Sequence, residues 1–210
     1  NSNEATSSYG CSQGGSQKPD YRTCILLGKH PDKPTIAIWG DSHAIAITYG
    51  FRELFQNQYN IWARETSGCP PVLDTKNSKV KSYCKSNNDF IFHEIKTNKP
   101  EIVVLHAAWH ARSYYKDSYK NLDETVTRLR KIGIDDILII GPVPAWEKKL
   151  PSILISEFEK TGKIPSRLVP NDYSSYQQVD REMAELSRQW HVKYISPAQL
   201  LCNEKGCLTM

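Results

Sequence analysis

The sequence of 210 residues lacks several features that define common classes of protein. It contains no run of about 18 consecutive apolar residues, which is the length that a membrane-spanning helix requires. Lysine and arginine are scattered and the formal net charge is +4, whereas a duplex-binding protein concentrates its basic residues in a stripe or patch. We therefore expect neither a membrane span within these residues nor a nucleic-acid partner.

The beginning of the sequence also lacks the pattern of a signal peptide. We interpret the start at Asn1 as that of a mature protein or an excised domain, which would suit a part attached to a membrane-embedded partner. Residues 1–34 are rich in Gly, Ser, Gln and Pro, and we expect an extension or linker packed on the domain. Because 39% of the chain is hydrophobic, we assign residues 35–210 to a single domain with its own core.

The six cysteines do not form a zinc framework, in which ligands stand roughly two to five residues apart, because only Cys202 and Cys207 come near that spacing and they lack a second pair. They fall into three pairs that are close in sequence: Cys11 and Cys24, Cys69 and Cys84, Cys202 and Cys207. We expect three local disulfides, no metal, and an oxidising compartment. Free cysteines in a cytosolic protein remain the alternative, since sequence alone does not establish pairing.

A short apolar run, Ile36-Ala-Ile-Trp, leads into Gly40-Asp41-Ser42-His43 and then into an apolar helical pattern. This order predicts a strand that feeds a helix through a tight turn, with Ser42 at the helix N-terminus, where free backbone N–H groups meet a reacting group. The nucleophile elbow of α/β-hydrolases is absent, because Ala44 stands where its second glycine belongs. A helix cap formed by Asp or Ser is the alternative interpretation.

The strand followed by Gly40-Asp41-Ser42-His43 resembles the first sequence block of the SGNH (GDSL-type) hydrolases. Histidine after the serine, and the later string Gly68-Cys-Pro-Pro, are similar to the SGNH domains fused to acyltransferase family 3 membrane proteins. The resemblance implies that Ser42 is the nucleophile and that the backbone N–H groups of Ser42 and Gly68 form the oxyanion hole. A turn that needs an unusual backbone angle would explain Gly68 equally well.

The third block of the family presents an asparagine after the strand, and this chain has no asparagine there. Trp109 stands in that neighbourhood, as it tends to in the fused members. The missing donor is therefore either the indole N–H or a backbone amide. We also expect His43, His106 and Trp109 to be possible contacts to substrate or to the oxyanion.

No histidine of the chain lies in an Asp-x-x-His block, which supplies the general base and its carboxylate partner in SGNH enzymes. The residues three positions before the six histidines are Leu27, Gly40, Phe90, Val103, Ala107 and Arg188. We therefore expect the catalytic Asp and His to lie beyond Met210, and these 210 residues to be weakly active or inactive.

Strand and helix patterns alternate along the chain, which predicts a parallel sheet covered on both faces. The fold class is α/β, a three-layer α/β/α sandwich of SGNH or flavodoxin-like type with about five strands. The predicted strands are 36–39, 59–65, 101–105, 137–140 and 191–195, and the predicted helices are 44–55, 88–97, 121–132 and 172–190. The segment 147–171 is irregular by pattern and could be a lid or a partner surface.

The resemblance implies acyl transfer, in which an O-acetyltransferase places acetyl groups on sugar hydroxyls of a cell-surface polysaccharide such as the O-antigen of lipopolysaccharide. It implies no cofactor in this domain, because acetyl-CoA serves a membrane-embedded acyltransferase family 3 partner, expected in the same polypeptide. The domain would then be periplasmic and tethered to the inner membrane. A secreted carbohydrate acetylesterase and a non-catalytic polysaccharide-binding domain are the alternatives.

Overall fold

The computed structural model describes residues 11–13, 30, 32–73, 80–110, 117–146, 148–170 and 173–209. The strands are β1 (Cys11–Gln13), β2 (Thr35–Gly40), β3 (Asn60–Thr66), β4 (Ile102–His106), β5 (Asp136–Ile140), β6 (Arg167–Leu168), β7 (Lys193–Ile195), β8 (Cys202–Asn203) and β9 (Gly206–Leu208). The helices are α1 (Ser42–Phe55), α2 (Ser82–Asn98), α3 (Leu122–Lys131), α4 (Leu150–Thr161), α5 (Tyr173–Gln189) and α6 (Pro197–Leu201), with a 3-10 helix at Ser118–Asn121.

The larger sheet has six strands in the order β1-β3-β2-β4-β5-β7, and every pairing in it is parallel. The five strands that the sequence predicts are all present, and the short strand β1 adds a sixth at one edge. The predicted α/β fold with a parallel sheet is confirmed. Because the strands are parallel, their carboxyl ends share one edge of the sheet, where open α/β folds build their sites.

The alternation of side chains along β2 shows how both faces of the sheet are buried. Ile36 and Ile38 pack with residues of α1 on one face. Ala37 and Trp39 point to the other face, where α2, α3 and α5 contribute to a larger cluster. Strands covered on both faces are apolar throughout, as expected for a parallel sheet between helical layers.

Part of the predicted N-terminal extension belongs to the sheet. Strand β1 pairs with β3, and the side-chain amide of Asn60 at the start of β3 donates to the carbonyls of His30 (2.9 Å) and Lys33 (2.8 Å). These contacts join the segment before β2 to the domain. The remaining residues of 1–34 lie outside the described part, and the boundary at residue 35 stays a prediction.

The expectation of an irregular segment at 147–171 is wrong, because it contains α4 and β6. Pro151 in the first turn of α4 and Gly162 after its last residue, with φ +67°, are ordinary boundary signals of a helix. No residue of α4 is buried, and Ile155 and Phe158 are 59% and 52% exposed. Strand β6 pairs antiparallel with β9, which pairs with β8 in a small second sheet.

Two of the three predicted disulfides are confirmed. Cys69–Cys84 joins the loop after β3 to α2, with the Cα atoms 5.2 Å apart. Cys202–Cys207 links the paired strands β8 and β9. The predicted pair Cys11–Cys24 lies outside the residues whose side chains are described. Among the described helices, none combines the length and apolar character needed to cross a membrane.

Gly40, the last residue of β2, lies beside His106, the last residue of β4. A Cβ atom at Gly40 would stand 1.7 Å from the carbonyl oxygen of His106. Only glycine permits this approach of two backbones, which brings the turn between β2 and α1 against the end of β4.

We predict that Gly40→Ala lowers the free energy of unfolding by about 3 kcal/mol, because the added methyl group meets backbone atoms that no rotamer change can move. Gly50→Ala is the matched control, since Gly50 lies in α1 with no atom within 4 Å of an added Cβ. That variant should gain about 0.5 to 1 kcal/mol. Urea unfolding of both variants measures the difference, and equal stabilities would contradict this account.

Candidate active site

Ser42 is the first residue of α1, and its side chain is exposed at the carboxyl edge of the sheet. The residue that caps the helix is Asp41, whose Oδ1 atom accepts the His43 backbone N–H at 2.8 Å. Within the described part of the chain, no group is hydrogen-bonded to the Ser42 hydroxyl. The capping explanation therefore applies to Asp41 and leaves the hydroxyl of Ser42 open to an incoming molecule.

The Asp41 carboxylate also ties together two neighbouring strand exits. Its Oδ2 atom accepts the backbone N–H of Ala108 at 3.0 Å, in the loop that follows β4. The residue is 1% exposed, and this burial raises the pKa of the Asp41 carboxyl, while the hydrogen bonds from Ala108 and His43 oppose the rise. One side chain thus fixes the helix start beside Ser42 and the loop that contains Trp109.

Gly68 lies in the turn after β3, the strand next to β2. Its φ angle is +73°, which glycine adopts without strain. The turn therefore requires glycine for its backbone, which agrees with the alternative explanation of Gly68 as a turn residue. Since β2 and β3 are parallel neighbours, about 5 Å apart, Gly68 and Ser42 both follow strand ends at the same edge of the sheet.

The side chains of Asn88 and Thr125 and the disulfide Cys69–Cys84 hold the loop that follows Gly68. The Asn88 side-chain amide donates to the carbonyls of Pro70 (2.8 Å) and Val72 (2.9 Å), and its oxygen accepts the indole N–H of Trp39 at 3.2 Å. The Thr125 hydroxyl donates to the Pro71 carbonyl at 3.0 Å and accepts the N–H of Leu73 at 3.1 Å. Together with the disulfide, these bonds make the loop a rigid support for the backbone around Gly68.

His106 and Trp109 turn their ring nitrogens toward one carbonyl at the end of β5. The Trp109 indole N–H donates to the Ile140 oxygen at 2.8 Å, and Nδ1 of His106 lies 3.1 Å from the same oxygen. Both side chains are 1% exposed. The indole N–H that could have served the oxyanion is therefore used within the fold, so a backbone amide fits that role better.

Burial lowers the pKa of His106 to about 4, the nearby His43 adding to the effect. His106 is therefore neutral at neutral pH, and its proton stands on Nδ1 because the Ile140 carbonyl can only accept. The His43 ring is half-buried and meets the His106 ring edge-on, with the centroids 6.1 Å apart. The two histidine rings therefore contact each other near the N-terminus of α1.

Ser42 and Gly68 as site residues stay predictions from the sequence, and the supporting contacts of Asp41, Asn88 and Thr125 were not anticipated. Asp41 and Ala108 are 67 positions apart, and Thr125 acts on a loop more than 50 positions earlier. The capping preference of aspartate was the one local signal. Nothing in the sequence near Asn88 or Thr125 indicates which backbone groups they meet.

The chain matches a known protein family. A family model described as "SGNH domain (fused to AT3 domains)" matches residues 10–210. The chain therefore belongs to the family of SGNH domains fused to AT3 domains, which confirms the resemblance carried by Gly40-Asp41-Ser42-His43 and Gly68-Cys-Pro-Pro. The match begins within the segment that we predicted to be an extension.

A solved structure shows the same fold. The lipopolysaccharide acetyltransferase periplasmic domain of Salmonella ser. Paratyphi A superposes with a TM-score of 0.77 at 24% identity, covering 99% of this chain and 81% of that one. A carbohydrate acetylesterase family member from Sinorhizobium meliloti gives 0.48 at 10% identity, covering 84% of this chain and 90% of that one. Among curated protein sequences, none matches this chain.

We predict that Asp41→Ala lowers the free energy of unfolding by about 3 kcal/mol, because it removes a helix cap and leaves the buried Ala108 N–H without an acceptor. Asp41→Asn keeps one acceptor oxygen and should lose less. Ser42→Ala changes an exposed hydroxyl and should stay within about 0.5 kcal/mol of the parent chain. Thermal and urea unfolding test this order, which fails if the Asp41 and Ser42 variants are equally stable.

Proposed function

We propose that this chain is the acyl-transferring domain of a polysaccharide O-acetyltransferase, with Ser42 as its nucleophile. The observation that carries the proposal is the exposed Ser42 hydroxyl at the N-terminus of α1, with the capping role taken by Asp41. Membership of the family of SGNH domains fused to AT3 domains supports the reaction class. Asp41 accepts the N–H groups of His43 and Ala44, which leaves the N–H of Ser42 itself, at the positive end of the helix dipole, to face a substrate.

The reaction would proceed in two steps. The Ser42 Oγ atom attacks the carbonyl carbon of an acetyl donor while its proton passes to a general base, and the donor's leaving group departs with a proton, which leaves acetyl-Ser42. A sugar hydroxyl then attacks the acetyl carbonyl and gives its proton to the same base, which returns the proton to the Ser42 Oγ atom as the bond between this atom and the acetyl group breaks. Each tetrahedral oxyanion would be held by the backbone N–H groups of Ser42 and Gly68, where one donor is typically worth about 3 kcal/mol.

Neither His106 nor His43 is suited to act as the general base in this mechanism. His106 has a pKa of about 4 because it is buried, and its Nδ1 is turned to the Ile140 carbonyl. His43 follows the nucleophile directly, and adjacent residues of a helix point about 100° apart. We propose that an Asp-x-x-His block beyond Met210 supplies both the base and the carboxylate that orients it.

We also propose an acceptor for the acetyl group and a cellular location for the domain. The Salmonella domain with this fold is named a lipopolysaccharide acetyltransferase periplasmic domain. We propose a cell-surface polysaccharide such as O-antigen as acceptor, and acetyl groups derived from acetyl-CoA and delivered by a membrane-embedded AT3 partner, in the periplasm at the inner membrane. Cys69–Cys84 and Cys202–Cys207 support an oxidising compartment.

We predict that Ser42→Ala lowers turnover of a model acetyl ester by about a thousandfold or more in a chain that extends beyond Met210 through the Asp-x-x-His block. Ser82→Ala is the matched control, because Ser82 is likewise an exposed first residue of a helix. It should leave turnover unchanged. Following both free acetate and acetylated polysaccharide separates a transferase from an acetylesterase, because water replaces the sugar in the latter.

The 210-residue chain alone should hydrolyse the ester weakly, and replacing the added histidine should silence the extended chain. Full activity of the 210 residues would mean that a histidine within them is the base. Retained activity in Ser42→Ala would overturn the proposed function.

A further inference from the structure

A cavity of about 380 Å³ lies between α5 and the segment that runs from α6 into β8. This volume falls within the usual range of small-molecule sites. The side chains of its walls are mainly polar, and those on which the following argument depends are Tyr173, Gln177, Arg181, Gln199, Asn203 and Glu204.

The cavity opens at the same edge of the sheet as Ser42. Helix α5 begins at the carboxyl edge of the sheet and runs toward the amino end of β7, so Tyr173 and Gln177 in its first turns lie at the carboxyl edge. Helix α6 follows the carboxyl end of β7 directly. Strand β7 is three places from β2 in the sheet, so the carboxyl ends of these two strands, near which the cavity and Ser42 lie, are about 14 Å apart within the sheet. A single small ligand could not fill the cavity and react at Ser42, whereas a chain of several sugar units could do both.

The chemistry of the walls suits a carbohydrate better than a phosphate-bearing ligand. The amides of Gln177, Gln199 and Asn203 offer both donors and acceptors, as sugar hydroxyls do. The half-buried Tyr173 offers an aromatic face for the apolar side of a sugar ring. Arg181 lines the cavity together with two acidic residues, Asp180 and Glu204, so the cavity has no excess of positive charge for a phosphate group.

A buried hydrogen-bond network fixes the floor of this cavity. The Asp180 carboxylate, 4% exposed, accepts the Tyr194 hydroxyl at 2.7 Å and the Ser196 hydroxyl at 2.8 Å. The Ser196 oxygen in turn accepts the Gln199 N–H at 3.0 Å and so caps α6. Helix α5, strand β7 and helix α6 are thereby held in one arrangement.

The far wall is fixed by the Cys202–Cys207 disulfide and by Arg167 of β6. The Arg167 guanidinium donates to the carbonyls of Leu201 (3.0 Å), just before the disulfide-linked hairpin, and of Gly206 (2.9 Å), within it. A cavity whose walls are held in this way is formed before a ligand arrives, which lowers the entropic cost of binding.

We propose that this cavity binds one sugar unit of the acceptor polysaccharide, several units away from the sugar that is acetylated at Ser42. The subsite rests on the proposed function for its role in transfer, but its binding of polysaccharide can be measured without any reaction. It would give the enzyme affinity for a polymer while leaving the chemistry at Ser42 unchanged, because the contacts are the same in the ground and transition states.

The test compares Gln177→Ala with Gln178→Ala, two neighbouring glutamines of α5. Gln177 lines the cavity, whereas Gln178 is exposed outside it and donates to Glu182. Cell-surface polysaccharide purified from the source organism is titrated into the 210-residue domain, with circular dichroism as a check on folding. We expect Gln177→Ala to weaken binding about tenfold, since one hydrogen bond is lost, and Gln178→Ala to leave it unchanged.

Tyr173→Ala provides a second variant, and the extended chain provides a kinetic measurement. Both cavity variants should raise KM for the polysaccharide about tenfold, with kcat and the hydrolysis of a small acetyl ester unchanged. If Gln177→Ala and Tyr173→Ala bind polysaccharide as the parent does, or if the parent does not bind it, the subsite is overturned. If binding falls as expected while Ser42→Ala still transfers acetyl groups, the subsite stands and the proposed function fails.

Discussion

The arrangement of the site depends on the buried carboxylate of Asp41. One oxygen accepts the N–H of His43 and the other that of Ala108, so that the start of α1 and the exit of β4 are held by one side chain. Gly40 makes this contact possible, because a larger residue would collide with the backbone of β4. Ser42 is presented to solvent as a consequence, since the residue before it has taken the capping role.

A rigid frame surrounds this centre at the carboxyl edge of the sheet. On one side, Asn88, Thr125 and a disulfide hold the loop after Gly68. On the other side, Asp180 and a second disulfide hold the exit of β7 and the hairpin that follows it. The antiparallel pairing of β6 with β9 links that hairpin to the segment after α4. The carboxyl edge of the sheet is thereby supported on both sides of Ser42.

Local patterns in the sequence predicted the parallel sheet, the strand-to-helix junction at Ser42 and the two described disulfides. They failed where distant residues decide the structure. Helix α2 begins at Ser82, six residues before the predicted start, because its polar first turns show no apolar period. Helix α4 was missed although Pro151 and Gly162 are boundary signals at its two ends. The supporting roles of Asn88 and Thr125 arise from side-chain bonds to distant backbone groups, which leave no local pattern.

The most direct test of Ser42 as the nucleophile is to trap the acetyl-enzyme. The full-length protein would be incubated with an acetyl donor in the absence of polysaccharide, quenched in acid and digested for mass spectrometry. The account predicts one acetyl group on Ser42, which disappears when polysaccharide is added before the quench and is absent from Ser42→Ala. An acetyl group on another residue, or equal acetylation of Ser42→Ala, would contradict it.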